Sequence, residues 1–509
     1  MANDNKRIAK NTIVLYGRML FLMVVGLVTV RVVLGALGDV DYGISGVVGS
    51  VIYTMAFVIG TLSSASQRFF AYSLGRNDID GYRRSFSMLL QIFFAFSLLV
   101  VLVGEAISPW VVTDWLNIPD DRQYAAKWVY QNSIFTFLLY MLQVPFTGSI
   151  VAHERMQGFA YISIADGVMK LGVAYLVAVG GHDRLILYSC LMTGEALVIF
   201  LLYWIYCRRN FAGCRYRPVA DKKLLKELSG YTGWNLFGSI SAMLSSQGQS
   251  ILLNIFFGPV INAAKSIGDK LYNMVAQLST NFYMAVSPQI VKSYAAGDDD
   301  RSKRLAVQST RMSYFLLLLV VFPAIAVIDP LLHLWLKAGD VTPAMVGFSK
   351  LMLIYCLAVS LEQPLTQVIR ATGKLKRYQL SVGLITLAYL PLAWLLLKLG
   401  APAVSTMWML IGVTLAAQIV RVYVVRKQVG FPVSAYMRQA IAPIVVGTAI
   451  LFAFEYAMSY WTVVKLGPVL MKAVTCLILS FVVTLWIGVT SSERTMIQET
   501  IAKRFSHRK

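Results

Sequence analysis

The chain has 509 residues, of which 57% are hydrophobic and 14% are charged, and its formal net charge is +21. The basic residues fall in the connections between long apolar stretches, so the charge reports membrane topology. This placement excludes a nucleic-acid-binding surface as the reason for the basic composition.

Apolar runs of about 20 residues, the length that crosses a bilayer, recur along the whole chain. They begin near Asn11, Tyr42, Ser85, Ala125, Phe159, Leu185, Gly230, Pro259, Val307, Gly347, Leu380, Ala403, Ala440 and Leu466. We therefore predict an all-α polytopic membrane protein with about fourteen transmembrane helices. The first run is long and interrupted by arginine, so we expect it to remain as a helix and not to be a cleaved signal peptide.

Lysine and arginine accumulate at every second connection between these runs. The rich side carries Lys6, Arg7, Lys10, Arg68, Arg76, Arg83, Arg84, Arg155, seven residues from Arg208 to Lys226, Lys292, Arg301, Lys303, Arg304, Arg370, Lys374, Lys376, Arg377, Arg421, Arg426, Lys427, Arg438 and the tail from Arg494 to Lys509. The poor side carries Arg122, Lys127, Arg184, Lys337, Lys398 and Lys465. Because cytoplasmic loops are enriched in Lys and Arg, both termini are predicted to be cytoplasmic.

The sequence offers little that points to an enzyme or a metalloprotein. The five cysteines include no C-x-x-C pair, so neither a disulfide framework nor a zinc site is predicted. No connection on the Lys/Arg-poor side is longer than about twenty residues or carries a recognisable catalytic grouping. We expect no enzymatic activity, no metal and no cofactor.

The two halves of the chain repeat each other. Gln143–Thr147 and the residues after it match Glu362–Thr366 and its continuation, with Pro145 and Pro364 separated by 219 residues. The stretch ending at Gly75 similarly matches the one ending at Gly297. Six spans separate the copies, an even number, so the repeats should be parallel, as in many secondary carriers.

The repeat predicts the domain organisation. We expect an N-lobe of helices 1–6 at residues 1–207, a basic cytoplasmic linker at 208–227, a C-lobe of helices 7–12 at 228–430, and two further helices with a tail at 431–509. A cleft between two such lobes near the bilayer midplane is where alternating-access carriers hold their cargo.

Charged residues inside spans are the candidate functional residues, because each costs about 3 kcal/mol to place at the bilayer centre. We predict that Arg18, Arg31, Lys265, Lys270 and the amides Asn235, Gln247 and Asn262 contact substrate in a mildly cationic cleft that suits an anionic head group. Asp166, Glu195, Asp269 and Glu362 are the candidates for ion coupling, and Pro145 and Pro364 for hinges. Local ion pairs at i, i+4 are the alternative for Asp166 with Lys170 and for Lys265 with Asp269. For Arg18 and Arg31 the alternative is snorkelling, with Arg31 reaching toward Asp39 or Asp41.

Several segments resemble a known family. Leu34–Gly38 with Asp41–Gly43, Val260–Ala264, Ser287–Asp298 and Ala371–Lys376 together resemble the polysaccharide-transport branch, or O-antigen flippases, of the multidrug/oligosaccharidyl-lipid/polysaccharide (MOP) exporter superfamily. The resemblance implies a MATE-like fold. The sequence departs from the family at Lys265-Ser266, where relatives often carry Arg-Gly, and a lysine lacks the bidentate fork of arginine.

The resemblance also implies a function. It points to a flippase in the bacterial inner membrane that moves an undecaprenyl-diphosphate-linked oligosaccharide of O-antigen, capsule or exopolysaccharide outward by alternating access. The expected partners are the lipid-linked oligosaccharide, the phospholipid bilayer and other polysaccharide assembly proteins, with no nucleic acid. The alternatives are a multidrug or cation-coupled exporter of the same superfamily and a membrane-embedded polysaccharide polymerase or ligase.

Overall fold

The computed structural model describes residues 2–53, 56–110, 119–181, 183–335, 341–458, 466–490 and 493–494, and it describes the backbone alone at 2–9, 39, 46–53, 56–57, 109–110, 259, 335, 458 and 466. Within these ranges the chain is helical and contains no strand, which confirms the predicted all-α class. The predicted basic tail beyond Arg494, together with Lys337 and Lys465, lies outside the described residues.

The first half of the chain forms six helices. They are α1 (Ala2–Tyr53), α2 (Ala56–Gly75), α3 (Ile79–Trp110), α4 (Gln123–Ala152), α5 (Met156–Val179) and α6 (Arg184–Asn210). Helix α1 is kinked at Gly38, where φ is 76° and ψ is 172°. Glycine tolerates this conformation because it has no Cβ. The kink ends the first span and begins the second, which α2 completes.

The second half continues with eleven helices, several of which combine into one span. They are α7 (Lys222–Phe257), α8 (Pro259–Ala295), α9 (Asp299–Ala326), α10 (Ile328–Trp335), α11 (Pro343–Ser360), α12 (Glu362–Thr372), α13 (Leu375–Lys398), α14 (Ser405–Val429), α15 (Val433–Tyr436), α16 (Ala442–Met458) and α17 (Leu466–Val483). A π-helical turn at Met437–Ile441 joins α15 to α16, and another at Thr484–Gly488 extends α17.

Hydropathy separates these helices into two groups. Among the described residues, 11 helical segments are long and apolar enough to cross a membrane. The second span, completed by α2, and the long helices α7 and α8 are not among them, and with these three the number of crossings reaches the predicted fourteen. A helix that is too polar to face lipid must be shielded by protein or line water.

The chain divides into two compact units. Unit 1 comprises Met1–Ser239 and Val291–Gly297, and unit 2 comprises Ile240–Ile290 and Asp298–Lys509. In unit 1, α1 packs on α5 and α4 packs on α6. In unit 2, α13 packs on α14, and α9 packs against α16 and α17. The repeat-based domain boundaries at 207, 227 and 430 remain predictions.

The last two spans fit closely against unit 2. The ring of Phe315 in α9 lies against two glycines, Gly447 of α16 and Gly488 after α17, where an added Cβ would come within 2.8 Å and 2.6 Å of ring atoms. Only a residue without a side chain admits the ring at this distance. The final helices are therefore a packed part of unit 2.

Candidate functional site

Two carboxyl groups and an ammonium group form a cluster inside unit 1. Lys170 Nζ lies 2.8 Å from Asp166 Oδ1 on α5, which confirms the predicted i, i+4 ion pair. Glu195 of α6 is only 3% exposed, and its carboxyl group lies within electrostatic range of both members of the pair. The three groups carry a formal charge of −1 when ionised, so one proton or one monovalent cation would neutralise them.

Arg18 is held near this cluster by α5. Its Nη1 donates a hydrogen bond to Ser163 Oγ at 3.2 Å, and its guanidinium lies 4.7 Å from the centre of the Phe159 ring. Ser163 precedes Asp166 by three residues and therefore lies on the same face of α5. The structure thus places one predicted substrate residue against the face of α5 that carries Asp166.

Arg31 is exposed in unit 1. The side chain of Asp41, toward which Arg31 could have reached, instead forms an ion pair with Arg122. Arg122 also bonds Asp183 at 2.9 Å. The Cα of Arg31 lies about 10 Å along the helix from the kink at Gly38.

The two predicted lysines of α8 differ in environment. Lys265 is 1% exposed and its Nζ lies 2.8 Å from Asp269 Oδ2, so the predicted local pair is confirmed here too. Lys270 is exposed, although it lies about 16 Å from the nearer end of α8. Lys270 is therefore available to a ligand in this structure, whereas Lys265 is occupied by its own carboxylate.

Glu362 is part of a polar network in unit 2 that the sequence did not reveal. Its Oε2 accepts a hydrogen bond from Arg421 Nη2, and Arg421 Nε donates to Tyr378 Oη at 2.8 Å. Arg421 is 3% exposed and lies within α14. Its assignment to a basic connection was wrong, because a half-buried carboxylate partner stabilises the arginine inside the span.

Two more basic residues are buried although the sequence did not indicate it, Arg68 in unit 1 and Arg311 in unit 2. Arg68, expected in a connection, lies in α2 and is 6% exposed, with its guanidinium 4.4 Å from the centre of the Phe69 ring. Arg311 of α9 is 4% exposed and bonds both oxygens of Glu493, at 2.7 and 2.8 Å. The available signal for Arg311 was its position four residues into the predicted span that begins near Val307.

The three predicted amide ligands differ in exposure. Asn235 is 1% exposed and donates a hydrogen bond to the carbonyl of Thr61 at 3.2 Å, the interhelical use that is common for amides in membranes. Gln247 is exposed and Asn262 is half-buried. Gln247 and Asn262 therefore keep exposed polar surface, whereas Asn235 serves packing.

The two predicted hinge prolines have different surroundings. Pro364 cannot donate to the carbonyl of Ser360, and this carbonyl accepts instead from Tyr283 Oη at 2.8 Å. The neighbouring carbonyl of Leu361 accepts from Gln418 Nε2 at 2.9 Å, and the helix breaks there between α11 and α12. Pro145, in contrast, lies inside the continuous helix α4. Hinge motion at either proline remains a prediction.

A set of contacts that the sequence did not reveal joins the end of α8 to the basic side of unit 1, and we call these contacts the latch. Glu154, between α4 and α5, adopts φ 61°, and its carboxylate accepts from Lys292 Nζ at 2.8 Å. Its carbonyl accepts from Asn11 Nδ2 at 3.2 Å. Gly75 packs on the backbone of Lys292 so tightly that an added Cβ would lie 2.6 Å from its carbonyl oxygen. The end of α8 is thus fixed to α2 and to the α4–α5 connection.

Comparisons with known proteins agree with this architecture. A family model described as MatE matches residues 236–395, which is less than half of the chain. No curated protein sequence matches.

Solved structures match most of the chain at low identity. A Vibrio cholerae MATE transporter, VcmN, has a TM-score of 0.69 at 16% identity and covers 84% of this chain and 97% of its own. A MOP superfamily transporter from Pyrococcus furiosus Vc1 has a TM-score of 0.71 at 10% identity and covers 85% of this chain and 96% of its own. A multidrug resistance MATE family transporter in an outward-facing conformation has a TM-score of 0.71 at 10% identity and covers 84% of this chain and 96% of its own. The chain therefore has the fold of the MATE transporters, and its residues 236–395 match the MatE family model.

Proposed function

We propose that the protein is a membrane exporter of the MOP superfamily and that its cargo is a lipid carrying an anionic diphosphate head and an oligosaccharide. The exporter fold and the MatE match support the first statement. The charges inside the helices support the second, and the sequence resemblance to polysaccharide flippases supports the sugar.

The observation that carries the proposal is a difference between acidic and basic residues: most of the predicted coupling carboxylates are paired with a cation, whereas two of the cations are exposed. Three of the four predicted coupling carboxylates have a cation of their own unit, as Asp166 has Lys170, Asp269 has Lys265 and Glu362 has Arg421. The cations Arg31 and Lys270 are exposed within helices that we predict to span the membrane. An exposed cation there is tolerated only near water or a counter-charge. A diphosphate would supply that counter-charge.

The exposed polar residues of α7 and α8 suit the remainder of the cargo. Gln247 is exposed and Asn262 is half-buried, and amides can donate to and accept from sugar hydroxyls. Because α7 and α8 have low hydropathy, they must also be shielded from lipid. In unit 2 we assign Lys270 to the diphosphate and Gln247 and Asn262 to the sugar, and in unit 1 Arg31 is our candidate for a phosphate contact. Arg18, Asn235 and Lys265 already have protein partners and hold their helices in position.

The cluster of Asp166, Lys170 and Glu195 is our candidate for coupling. Its two carboxyl groups and one ammonium group leave one formal negative charge for a proton or sodium ion. Arg18 of α1 is hydrogen-bonded to the same face of α5. Binding of a proton or ion at the cluster would therefore alter the contact between α5 and α1. This coupling role rests on the export function and does not depend on which lipid is carried.

The test is translocation in proteoliposomes with a fluorescent undecaprenyl-diphosphate oligosaccharide whose outer-leaflet fraction is read by a membrane-impermeant quencher. The variant R31Q/K270Q should slow transfer at least tenfold. The control R426Q/K427Q removes the same charge from exposed positions at the end of α14 and should transfer at the wild-type rate. Equal rates for all three proteins would refute the diphosphate assignment.

A multidrug exporter of the same fold is the second candidate, favoured by the carboxylate cluster and by the multidrug transporter among the similar structures. For the Pyrococcus furiosus transporter, a reversed polarity of the binding pocket was taken to suggest a different function, so polarity is informative within this superfamily. Ethidium export from the same proteoliposomes, without lipid transfer, would establish the multidrug function. Dye export that R31Q/K270Q leaves intact would exclude a role for these cations.

A further inference from the structure

A cavity of about 290 Å³ opens on unit 1 between α3, α4 and α6. Its walls are apolar and mainly aromatic, formed by Phe86, Phe94, Leu142, Phe146, Phe200 and Trp204. The volume is at the lower end of the range that holds small organic ligands. The site is separate from the charged cluster of Asp166, Lys170 and Glu195, which shares none of these residues.

The cavity lies near the ends of α3, α4 and α6 that carry the basic connections. Phe86 is seven residues after the start of α3, Phe146 is six before the end of α4, and Trp204 is six before the end of α6. At about 1.5 Å per residue all three side chains begin about 10 Å from the helix ends. The ends concerned are those that carry the basic connections.

The connection after α6 forms one wall of the cavity and is fixed in place. The backbone N–H of Arg217 donates to Ser87 Oγ at 3.1 Å, and the amide of Gln91 is hydrogen-bonded to Tyr216 Oη at 3.2 Å. Tyr216 and Gln91 both line the cavity. The basic segment is thereby held against α3 at the mouth of an apolar chamber.

Positive charge surrounds this mouth. The guanidinium of Arg208 lies 5.1 Å from the centre of the Trp204 ring, and Arg208, Arg215 and Arg217 are all exposed. From Cys207 to Ala220 the sequence contains no acidic residue. An apolar chamber in the leaflet beneath a cluster of arginines matches the two ends of an anionic lipid.

We propose that this cavity binds an anionic phospholipid of the basic-side leaflet, with an acyl chain among the aromatic rings and the phosphate at Arg208 and Arg215. Arginine binds phosphate through charge-assisted and bidentate hydrogen bonds. The aromatic walls give the chain contacts that are as apolar as bulk lipid, so the arginines provide the selectivity for anionic lipid. The site is independent of the transported substrate.

The experiment is native mass spectrometry of the full-length protein in a neutral detergent, titrated separately with phosphatidylglycerol, phosphatidylcholine and inorganic phosphate. One phosphatidylglycerol should bind at least tenfold more tightly than phosphatidylcholine, and inorganic phosphate alone should not be retained. R208Q/R215Q should weaken phosphatidylglycerol about 25-fold, at about fivefold for each arginine near the membrane surface. R426Q/K427Q is the matched control, because it removes two exposed charges of α14 far along the chain from the cavity.

A pocket-filling variant tests the apolar half of the site. L142W should abolish the tight binding event while leaving the elution volume in size-exclusion chromatography unchanged. If L142W does not fold, the comparison of the two arginine variants decides alone. Equal weakening by R208Q/R215Q and R426Q/K427Q, equal affinity for the two lipids, or unchanged binding to folded L142W would overturn the proposal.

Discussion

The close contact between Gly75 and the end of α8 gives a prediction whose size follows from distances. A Cβ at position 75 would lie 2.6 Å from the carbonyl oxygen of Lys292, 2.8 Å from its Cα and 2.9 Å from Ala295 Cβ. Ordinary contacts begin near 3.4 Å, so Gly75→Ala requires a backbone displacement of about 0.8 Å. The obstacle is backbone, which no rotamer change can relieve.

We expect this displacement to open the basic side of unit 1. Overpacking of this kind costs about 1–3 kcal/mol, which shifts an equilibrium between latched and released states about 5- to 150-fold. The same movement strains the 2.8 Å bond between Lys292 and Glu154. The latched state should therefore lose population in Gly75→Ala.

The assay is maleimide labelling of Ser293→Cys, a position that is 7% exposed in the latched state, in a background where the exposed Cys190 is replaced by serine. The labelling rate should rise about 5- to 150-fold, the shift in the equilibrium between latched and released states. Gly412→Ala is the control, because a Cβ there meets no atom within 4 Å. Labelling of Gly75→Ala within twofold of the control would refute the latch.

Three further outcomes are expected. Arg421→Met leaves Glu362 without its cation and should destabilise the protein by about 3 kcal/mol, seen as a lower thermal midpoint in detergent; adding Glu362→Leu should recover most of the loss, and no recovery would argue against the pair. Burial lowers the pKa of His153 from its usual 6.5, so the unfolded chain takes up the proton first and stability should fall as the pH drops below about 6.5. His153→Phe should be less acid-sensitive between pH 7.5 and 5.5, and an unchanged acid loss would contradict this. Glu195→Gln should reduce transport driven by a pH gradient at least tenfold without changing substrate affinity, and full gradient-driven transport would exclude coupling at Glu195.

Local patterns in the sequence predicted local structure well. Apolar runs gave the number of spans, and i, i+4 spacing gave the Asp166–Lys170 and Lys265–Asp269 pairs, which the structure confirms. Both features depend only on residues within one helix. They could therefore be derived without knowledge of which helices are neighbours.

Contacts between helices could not be derived in this way. Arg421 and Glu362 are 59 residues apart, and Arg311 and Glu493 are 182 apart. A hydropathy window places an arginine near the end of an apolar run in a connection, as it did for Arg421. Only the three-dimensional neighbours show that a carboxylate or a set of aromatic rings stabilises the charge within the helix.

The charge distribution also bears on how the proposed cycle would be driven. Three of the four predicted coupling carboxylates are paired with a cation of their own unit, so the exposed Arg31 and Lys270 would leave the empty carrier positive, whereas a diphosphate carries about two negative charges. An inside-negative potential contributes about 2.3 kcal/mol per charge per 100 mV. It would therefore favour outward movement of the bound anion, and it would favour the inward return of the emptied cationic carrier. The same two residues would thus serve binding and both halves of the cycle, which is why we expect their joint neutralisation to slow transport more than it weakens binding.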